Sequence, residues 1–183
     1  PQPAPAWNKA ANATTWTYSY TNLPRYQADN VTPIVYSVQE TPVVGYTPTS
    51  VSTASGTVNP SNGNVTAADF TNTLVTVNLS GKKTWVDDSN RYGMRPAGIG
   101  LTVKADSVAM AHQPTPTWNK TGDVWSYTMA GLPRYQAGTT TDITYTVQET
   151  AVGGYAPATD TTVSGTVDDT TRNVTDADFT NTL

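Results

Sequence analysis

The fold of this chain is decided by residues 81–96, Gly-Lys-Lys-Thr-Trp-Val-Asp-Asp-Ser-Asn-Arg-Tyr-Gly-Met-Arg-Pro, and by the alternating run that leads into them. The apolar residues of that run share one parity: Val75, Val77 and Leu79. Alternation with a period of two is typical of a β-strand with one buried face. The same parity reaches Lys83 and Trp85, so the pattern predicts that Lys83 points into a core and Lys82 to water. A buried ammonium is costly unless it is paired or loses its proton, so Lys83 needs a partner.

Composition limits the class of protein. Of 183 residues only 13% are charged, and the net charge is −4, so no basic surface is available for nucleic acid. Cysteine is absent, which excludes disulfides, thiolate metal sites and thiol nucleophiles. No apolar run approaches the ~20 residues that span a bilayer. We find no signal peptide or lipidation motif, which fits either a cytosolic protein or the interior of a processed one.

The chain contains an internal repeat. Three motifs recur at one offset of 109 residues (132 − 23): Leu-Pro-Arg-Tyr-Gln-Ala at 23–28 and 132–137, Tyr-x-Val-Gln-Glu-Thr at 36–41 and 145–150, and Asp-Phe-Thr-Asn-Thr-Leu at 69–74 and 178–183. This period is too long for a solenoid repeat and has the length of a whole domain. We therefore expect two tandem copies of one domain.

The two copies are unequal in length. The second copy, residues 75–183, contains every part of the pattern, whereas the first, residues 1–74, has no counterpart of residues 75–111. The first copy therefore lacks its opening strands, and with them a counterpart of Lys83. We expect either a missing upstream segment of a longer repeat protein or a strand donated by another molecule.

The complete copy is predicted to be an all-β sandwich. Glycine and proline, 13 of each, punctuate short runs rich in threonine, valine and aromatic residues. The predicted strands are residues 75–85, 98–104, 124–130, 142–150, 159–167 and 174–183. The predicted turns are residues 87–96, 114–122, 131–138 and 153–157.

Three of these strands carry a polar residue in phase with their apolar residues. Glu149 shares its parity with Ile143, Tyr145 and Val147, and Asn181 shares its parity with Phe179 and Leu183. Lys83, Glu149 and Asn181 therefore all point inward. From parity alone, a buried ion pair beside a hydrogen-bonding asparagine explains them as well as a reactive site does.

The order of motifs in the second copy resembles the Cna B-type domain, a module of surface adhesins and pilins of Gram-positive bacteria. The resemblance lies in Lys83-Thr84-Trp85, Asp87-Asp88, Arg95-Pro96, Trp125, Tyr127, Leu132-Pro133, Tyr145, Val147, Glu149, Gly154-Tyr155 and Phe179-Thr180-Asn181-Thr182. An extra Val86 and a long loop at residues 113–119 depart from the pattern. The resemblance implies β-sandwiches of about seven strands with an inverse immunoglobulin-like topology.

The same resemblance implies a spontaneous amide bond, because many members of this family join a lysine to an asparagine with the help of a glutamate. The matching residues are Lys83, Asn181 and Glu149 in the second copy, and Glu40 and Asn72 in the first, which has no matching lysine. A cross-link closing about 100 residues stabilises a fold by ~4.7 kcal/mol if it acts as a disulfide does. We expect Asn72 to be joined to no lysine within residues 1–183.

A structural, an adhesive and an enzymatic function compete as interpretations. The first is a structural stalk, outside the cell and anchored to its wall through regions beyond this chain, whose partners are neighbouring repeats. The second is an adhesive module that itself binds a host protein or glycan. A conventional enzyme is disfavoured because the one histidine, His112, has no evident catalytic partner. We expect no cofactor and no metal, since the turn at residues 87–90 has too few ligands for Ca²⁺.

Overall fold

A computed structural model describes residues 3–48, 52–157 and 161–183, and the chain divides into two compact units. The first unit comprises Pro1–Thr41 and Ser50–Phe70, and the second comprises Pro42–Thr49 and Thr71–Leu183. Over the described ranges every regular element is a β-strand, as the sequence predicts. Accordingly, the described residues include no helix with the length and apolar character to cross a membrane.

The strands are short except for two long ones in the second unit. In chain order they are β1 Ala6–Asn8, β2 Thr17–Ser19, β3 Val38–Gln39, β4 Tyr46–Pro48, β5 Thr53–Ala54, β6 Thr57–Val58, β7 Val65–Thr66, β8 Asn72–Leu74, β9 Thr76–Val86, β10 Leu101–Ala105, β11 Val108–Ala109, β12 Thr117–Thr121, β13 Val124–Pro133, β14 Tyr145–Glu149, β15 Ala156–Pro157, β16 Thr162–Val163, β17 Thr166–Val167, β18 Val174–Thr175 and β19 Phe179–Thr182.

Two larger sheets build the second unit. One has four strands in the order β11-β10-β14-β16. The other has seven strands, with β12-β13-β9-β18-β17 in order and β19 paired with both β9 and β15. Strand β9 is central in this sheet, antiparallel to β13 and parallel to β18 and β19. A small β4–β8 pair completes the unit.

One hydrophobic core lies between these two sheets, which makes the second unit a β-sandwich. The seven-stranded sheet contributes Leu79, Tyr127, Met129 and Phe179, and the four-stranded sheet contributes Val103, Tyr145 and Val147. All of these side chains are buried. The predicted fold class, an all-β sandwich, is confirmed.

Strand β9 alternates as the sequence predicts. Every second residue is buried from Val77 to Trp85, and Lys82 is exposed while Lys83 is completely buried. The period of two thus holds over eleven residues without a break.

The predicted strand at residues 174–183 is wrong as a single element, because it divides into β18 and β19. Asp176 between them has a positive φ of 56°, which interrupts the strand, although the Ala177 amide still donates to the Ser80 carbonyl of β9 at 3.2 Å. The Ala177 carbonyl accepts a hydrogen bond from the Tyr127 hydroxyl at 2.6 Å. The Asp178 carboxylate then accepts a hydrogen bond from the Lys82 amide at 2.7 Å, so the amide is satisfied without a backbone partner.

Two further predicted boundaries need correction. The strand predicted at residues 159–167 is two strands, because the chain passes Gly165 at φ 66° between β16 in one sheet and β17 in the other; residues 159 and 160 lie outside the described residues. Strand β13 extends past its predicted end at residue 130 through a bulge that contains Gly131 at φ 76°.

The turn predicted at residues 114–122 is also wrong, because strand β12 occupies most of it. Trp118 pairs with Tyr127 across β12 and β13, and their rings lie 5.1 Å apart. This strand was not predicted from the sequence, because it is only five residues long and follows prolines at 114 and 116. The long loop that departs from the family pattern is therefore partly a strand. The turn at residues 153–157 likewise ends in β15.

The first unit contains three two-stranded sheets: β1–β2, β3–β5 and β6–β7. Each has a counterpart in the second unit, namely β12–β13, β14–β16 and β17–β18. All but β1 match at the offset of 109 residues, since Trp7 of β1 corresponds to Trp118 of β12 at an offset of 111 (118 − 7). The repeat in the sequence is thus a repeat of strand pairings.

Candidate functional site

Lys83 and Glu149 form a buried ion pair between the sheets. Strand β9 directs Lys83 into the core, and β14 directs Glu149 into it from the facing sheet. Lys83 Nζ lies 2.7 Å from Glu149 Oε1, and the two side chains are 0% and 3% exposed. Among the described residues, Lys83 Nζ has no other polar contact that qualifies as a hydrogen bond. The parity prediction for both residues is therefore confirmed in geometry.

Asn181 completes the cluster from β19. Its side chain is buried, and Nδ2 donates to Glu149 Oε1 at 3.5 Å. Strand β19 is parallel to β9, with Phe179 opposite Lys83 and Asn181 opposite Trp85. The amine of Lys83 and the carboxamide of Asn181 thus contact the same oxygen atom. Asn181 Oδ1 is buried and has no hydrogen-bond partner among the described residues.

Burial lowers the pKa of Lys83 below its ordinary value of 10.5, and the hydrogen bond and negative charge of Glu149 partly oppose this shift. Desolvation dominates because the amine is withdrawn from water on every side. A lysine in this environment can lose its proton and act as a nucleophile.

The ring of Trp85 lies beside the amine and is itself packed between two other aromatic rings. Lys83 Nζ lies 4.8 Å from the centre of the Trp85 ring. Trp85 packs edge-on against Trp125 at 5.1 Å and against Tyr155 at 4.9 Å. The three polar groups are buried, which strengthens their mutual electrostatic interactions.

Comparison of the chain with known protein families shows which family it belongs to. The model of the Cna protein B-type domain family matches residues 4–63 and 79–176, most of the chain. The chain belongs to the Cna protein B-type domain family.

The chain is also similar to individual proteins and solved structures. A collagen adhesin of Staphylococcus aureus is 31% identical over 153 residues, which are 82% of this chain and 11% of that protein. The chain thus spans about a tenth of the curated relative it matches. A crystal structure of a single B repeat unit of the collagen binding surface protein of S. aureus covers 91% of this chain and 73% of that one, at 23% identity and a TM-score of 0.37. A structure of two such units covers 91% of this chain and 37% of that one, with the same identity and TM-score.

The Cna B-type match includes Lys83 and Glu149 in the second copy and Glu40 in the first. Asn181 and Asn72 lie beyond the matched ranges, so only the structure relates Asn181 to the site. Glu40 is half-buried directly after β3 in the first unit, and its amide donates to the Ser52 carbonyl at 2.9 Å. Asn72 is half-buried in β8 of the second unit, opposite Pro48.

Pattern reasoning missed a second polar cluster of this Cna B-type domain, at the end of β9. Asp87, considered above only as part of a turn, is buried and binds Arg95 through both carboxylate oxygens. It also accepts hydrogen bonds from the Tyr155 hydroxyl at 2.8 Å and the Asn90 amide at 3.0 Å. One signal in the sequence could have indicated this cluster: Asp87 has the same parity as Trp85, which predicts that its side chain faces inward.

Proposed function

We propose that this chain is a structural repeat of a bacterial cell-surface adhesin, and that an amide bond between Lys83 and Asn181 stabilises its second copy. The observation that carries the proposal is the contact of both side chains with one buried carboxylate oxygen, Glu149 Oε1. Membership of the Cna B-type family supports it independently. A buried ion pair alone explains Lys83 and Glu149, but it leaves the unsatisfied Asn181 carbonyl unexplained.

The reaction begins when the ion pair becomes neutral, as the proton of Lys83 moves to Glu149. The free electron pair of Lys83 Nζ attacks Cγ of Asn181 and forms the new carbon–nitrogen bond. Protonated Glu149 then delivers its proton to Nδ2, whose bond to Cγ breaks and releases ammonia, and the resulting carboxylate takes a proton from Nζ. The product is an uncharged amide, so no buried charge remains.

The carbonyl oxygen of Asn181 is the group that must be polarised. A rotation of the carboxamide by 180° exchanges Nδ2 and Oδ1, which brings Oδ1 against Glu149. A protonated Glu149 donates to that oxygen and stabilises the negative charge that develops on it. The three strands hold the groups in position before reaction, which lowers the entropic part of the barrier.

Intact-mass measurement tests the amide. The purified chain is expected to weigh less than its sequence mass by one ammonia, and Lys83→Ala is expected to restore the full mass. Lys82→Ala, which changes the exposed neighbour, serves as the matched control and keeps the deficit. A full sequence mass in folded wild-type protein would refute the proposal.

In the proposed role the chain lies outside the cell, anchored to the wall through other regions, with neighbouring repeats as partners. The name of the relative, a collagen adhesin, supports a host extracellular ligand as a partner of the full-length protein through other domains. Deletion of residues 1–183 from the full-length protein is expected to shorten the surface projection without abolishing ligand binding.

A second candidate is an adhesive module, favoured by an exposed aromatic cluster in the first unit. Trp7 and Trp16 are 50% and 54% exposed, and Lys9 Nζ lies 5.0 and 4.7 Å from their rings. A spacer is not expected to expose such a cluster. Tryptophan fluorescence during titration with collagen peptides and with glycans tests this function, with Trp7→Ala as the matched variant.

A further inference from the structure

The polar cluster at the end of β9 joins four segments of the second unit. Arg95 Nε donates to Asp87 Oδ2 at 2.7 Å, and Arg95 also reaches the β12–β13 turn through the Gly122 carbonyl at 2.8 Å and the Asp123 carboxylate at 2.5 Å. The Tyr155 hydroxyl donates to the same Asp87 carboxylate. The Arg95 and Asp87 side chains are only 8% and 0% exposed.

This cluster is connected to the reacting groups through Trp85. The Trp85 ring contacts Tyr155 at 4.9 Å and lies 4.8 Å from Lys83 Nζ. The Arg95 guanidinium lies 5.8 Å from the same ring. Trp85 therefore lies against the Lys83 amine and against two members of the polar cluster. Within the part of the chain that the structure describes, its indole nitrogen has no hydrogen-bond partner.

The cluster also reaches Asn181 along the backbone. Tyr155 directly precedes β15, in which Pro157 pairs with Asn181 of β19. On its other side Asn181 pairs with Trp85 of β9. Displacement of Tyr155 therefore affects both the ring that covers the amine and the strand that borders the carboxamide.

We infer that Asp87, Arg95 and Tyr155 form a clamp that positions Trp85 and β15 around the site and closes it to water, which makes all three positioning residues for amide formation. The inference rests on the proposed Lys83–Asn181 reaction. A small displacement of the reacting groups is sufficient to lower the rate strongly, because the reaction depends on near-attack geometry. Water admitted to the site stabilises the Lys83 ammonium and weakens the nucleophile.

The repeat provides an internal comparison for the clamp. Tyr46 is the counterpart of Tyr155 at the repeat offset, and no residues of the first copy correspond to Asp87 and Arg95. Tyr46 is 43% exposed, whereas Tyr155 is half-buried. The arrangement of this tyrosine thus differs between a copy with the clamp residues and one without them.

The first test is the rate of ammonia loss in newly made chain, because purified chain would already carry the amide; a short pulse of cell-free synthesis supplies unreacted chain, and intact mass follows its conversion. Asp87→Asn and Tyr155→Phe are expected to slow it by on the order of tenfold or more, with the same fully cross-linked end product. The matched control is Asp142→Asn, which breaks a different cluster, Arg134–Asp142–Arg172, in the same unit. Wild-type rates in both clamp variants would overturn the inference.

A second measurement does not depend on the amide. In an Asn181→Ala background, where no cross-link forms, brief treatment of the native protein with acetic anhydride reports access to the Lys83 amine. Asp87→Asn and Tyr155→Phe are expected to raise acetylation of Lys83 by roughly tenfold while leaving that of Lys82 unchanged. Equal protection of Lys83 with and without the clamp would overturn the inference even if the amide forms. If the two variants raise acetylation of Lys83, the clamp closes the site even if wild-type protein shows no amide. If Asp87→Asn fails to fold, Tyr155→Phe still tests the clamp, because it removes only the hydroxyl and keeps the aromatic ring.

Discussion

Lys83 and Glu149 belong to different sheets of the sandwich, yet Lys83 Nζ and Glu149 Oε1 lie 2.7 Å apart in the layer between them. At these inward positions between the two sheets, a charged pair stands where a sandwich core usually has two apolar side chains. A buried ion pair contributes little net stability, but removal of one partner leaves the other uncompensated. Net stability alone therefore gives little reason for the pair, and the proposed amide would remove both of its charges.

Removal of the carboxylate is expected to separate folding from cross-linking. Glu149→Ala should fold, because the core comes from the apolar strands, but it should retain its full sequence mass since nothing transfers the proton. Its electrophoretic mobility after boiling should change from that of a compact chain to that of an extended one. Gln148→Ala, at the adjacent position on the other face of β14, is the control. Amide formation at an undiminished rate in Glu149→Ala would contradict the catalytic role.

The uncross-linked fold is expected to gain stability as the pH rises. Burial holds the pKa of Lys83 below 10.5 in the folded chain, so the unfolded chain binds more protons and the free energy of unfolding increases with pH. In Asn181→Ala we expect this increase between the lowered pKa of Lys83 and 10.5. Urea denaturation at pH 7 to about 10 measures it. Lys83→Met in the same background should remove the increase, and identical slopes in the two variants would exclude Lys83 as its source.

Gly81 is expected to tolerate no side chain. A Cβ at this position would lie 2.1 Å from the Ala177 carbonyl oxygen and 2.8 Å from the Tyr127 hydroxyl. Gly81→Ala must therefore displace the segment between β18 and β19, at a cost of ~1–3 kcal/mol or more. Gly98→Ala, with no heavy atom within 4 Å of the added Cβ, is the control. Thermal unfolding should show a lower midpoint for Gly81→Ala alone.

Only one ammonia is expected to be lost by the whole chain. Asn72 has no matching lysine in the first copy, and Lys82 and Lys83 follow it closely along β9. Asn72→Ala should therefore leave the mass deficit of the wild-type chain unchanged. A deficit of two ammonia molecules in the wild type, reduced to one in Asn72→Ala, would show that the first copy also forms an amide within this chain.

The sequence was sufficient to predict that Lys83, Glu149 and Asn181 point inward, because β9, β14 and the end of β19 alternate regularly. In such strands one parity error would turn every side chain to the other face, so the phase of Lys83 and Glu149 is well determined. The positions at which strands are interrupted could not be predicted from this alternation. The turn at Asp176 depends on the Tyr127 hydroxyl and on a side chain replacing a backbone acceptor, and neither contact has a local signature.

The clamp could not be derived from the sequence for a related reason. Asp87 and Tyr155 are 68 residues apart, and Arg95 reaches both the end of β9 and the β12–β13 turn from an irregular loop. Periodicity describes residues in regular strands, whereas these contacts depend on how three loops meet.

The parallel pairing of β9 and β19 has a mechanical consequence. The two strands run side by side in one direction, from Lys83 and Phe179 to Val86 and Thr182. The start of β9 and the end of β19 therefore lie at opposite ends of the pair. A force that draws these ends apart slides the strands along each other and loads their hydrogen bonds together in shear, whereas an antiparallel hairpin would unzip one bond at a time. Resistance to stretching is thus present in the order of the strands before any covalent bond is added.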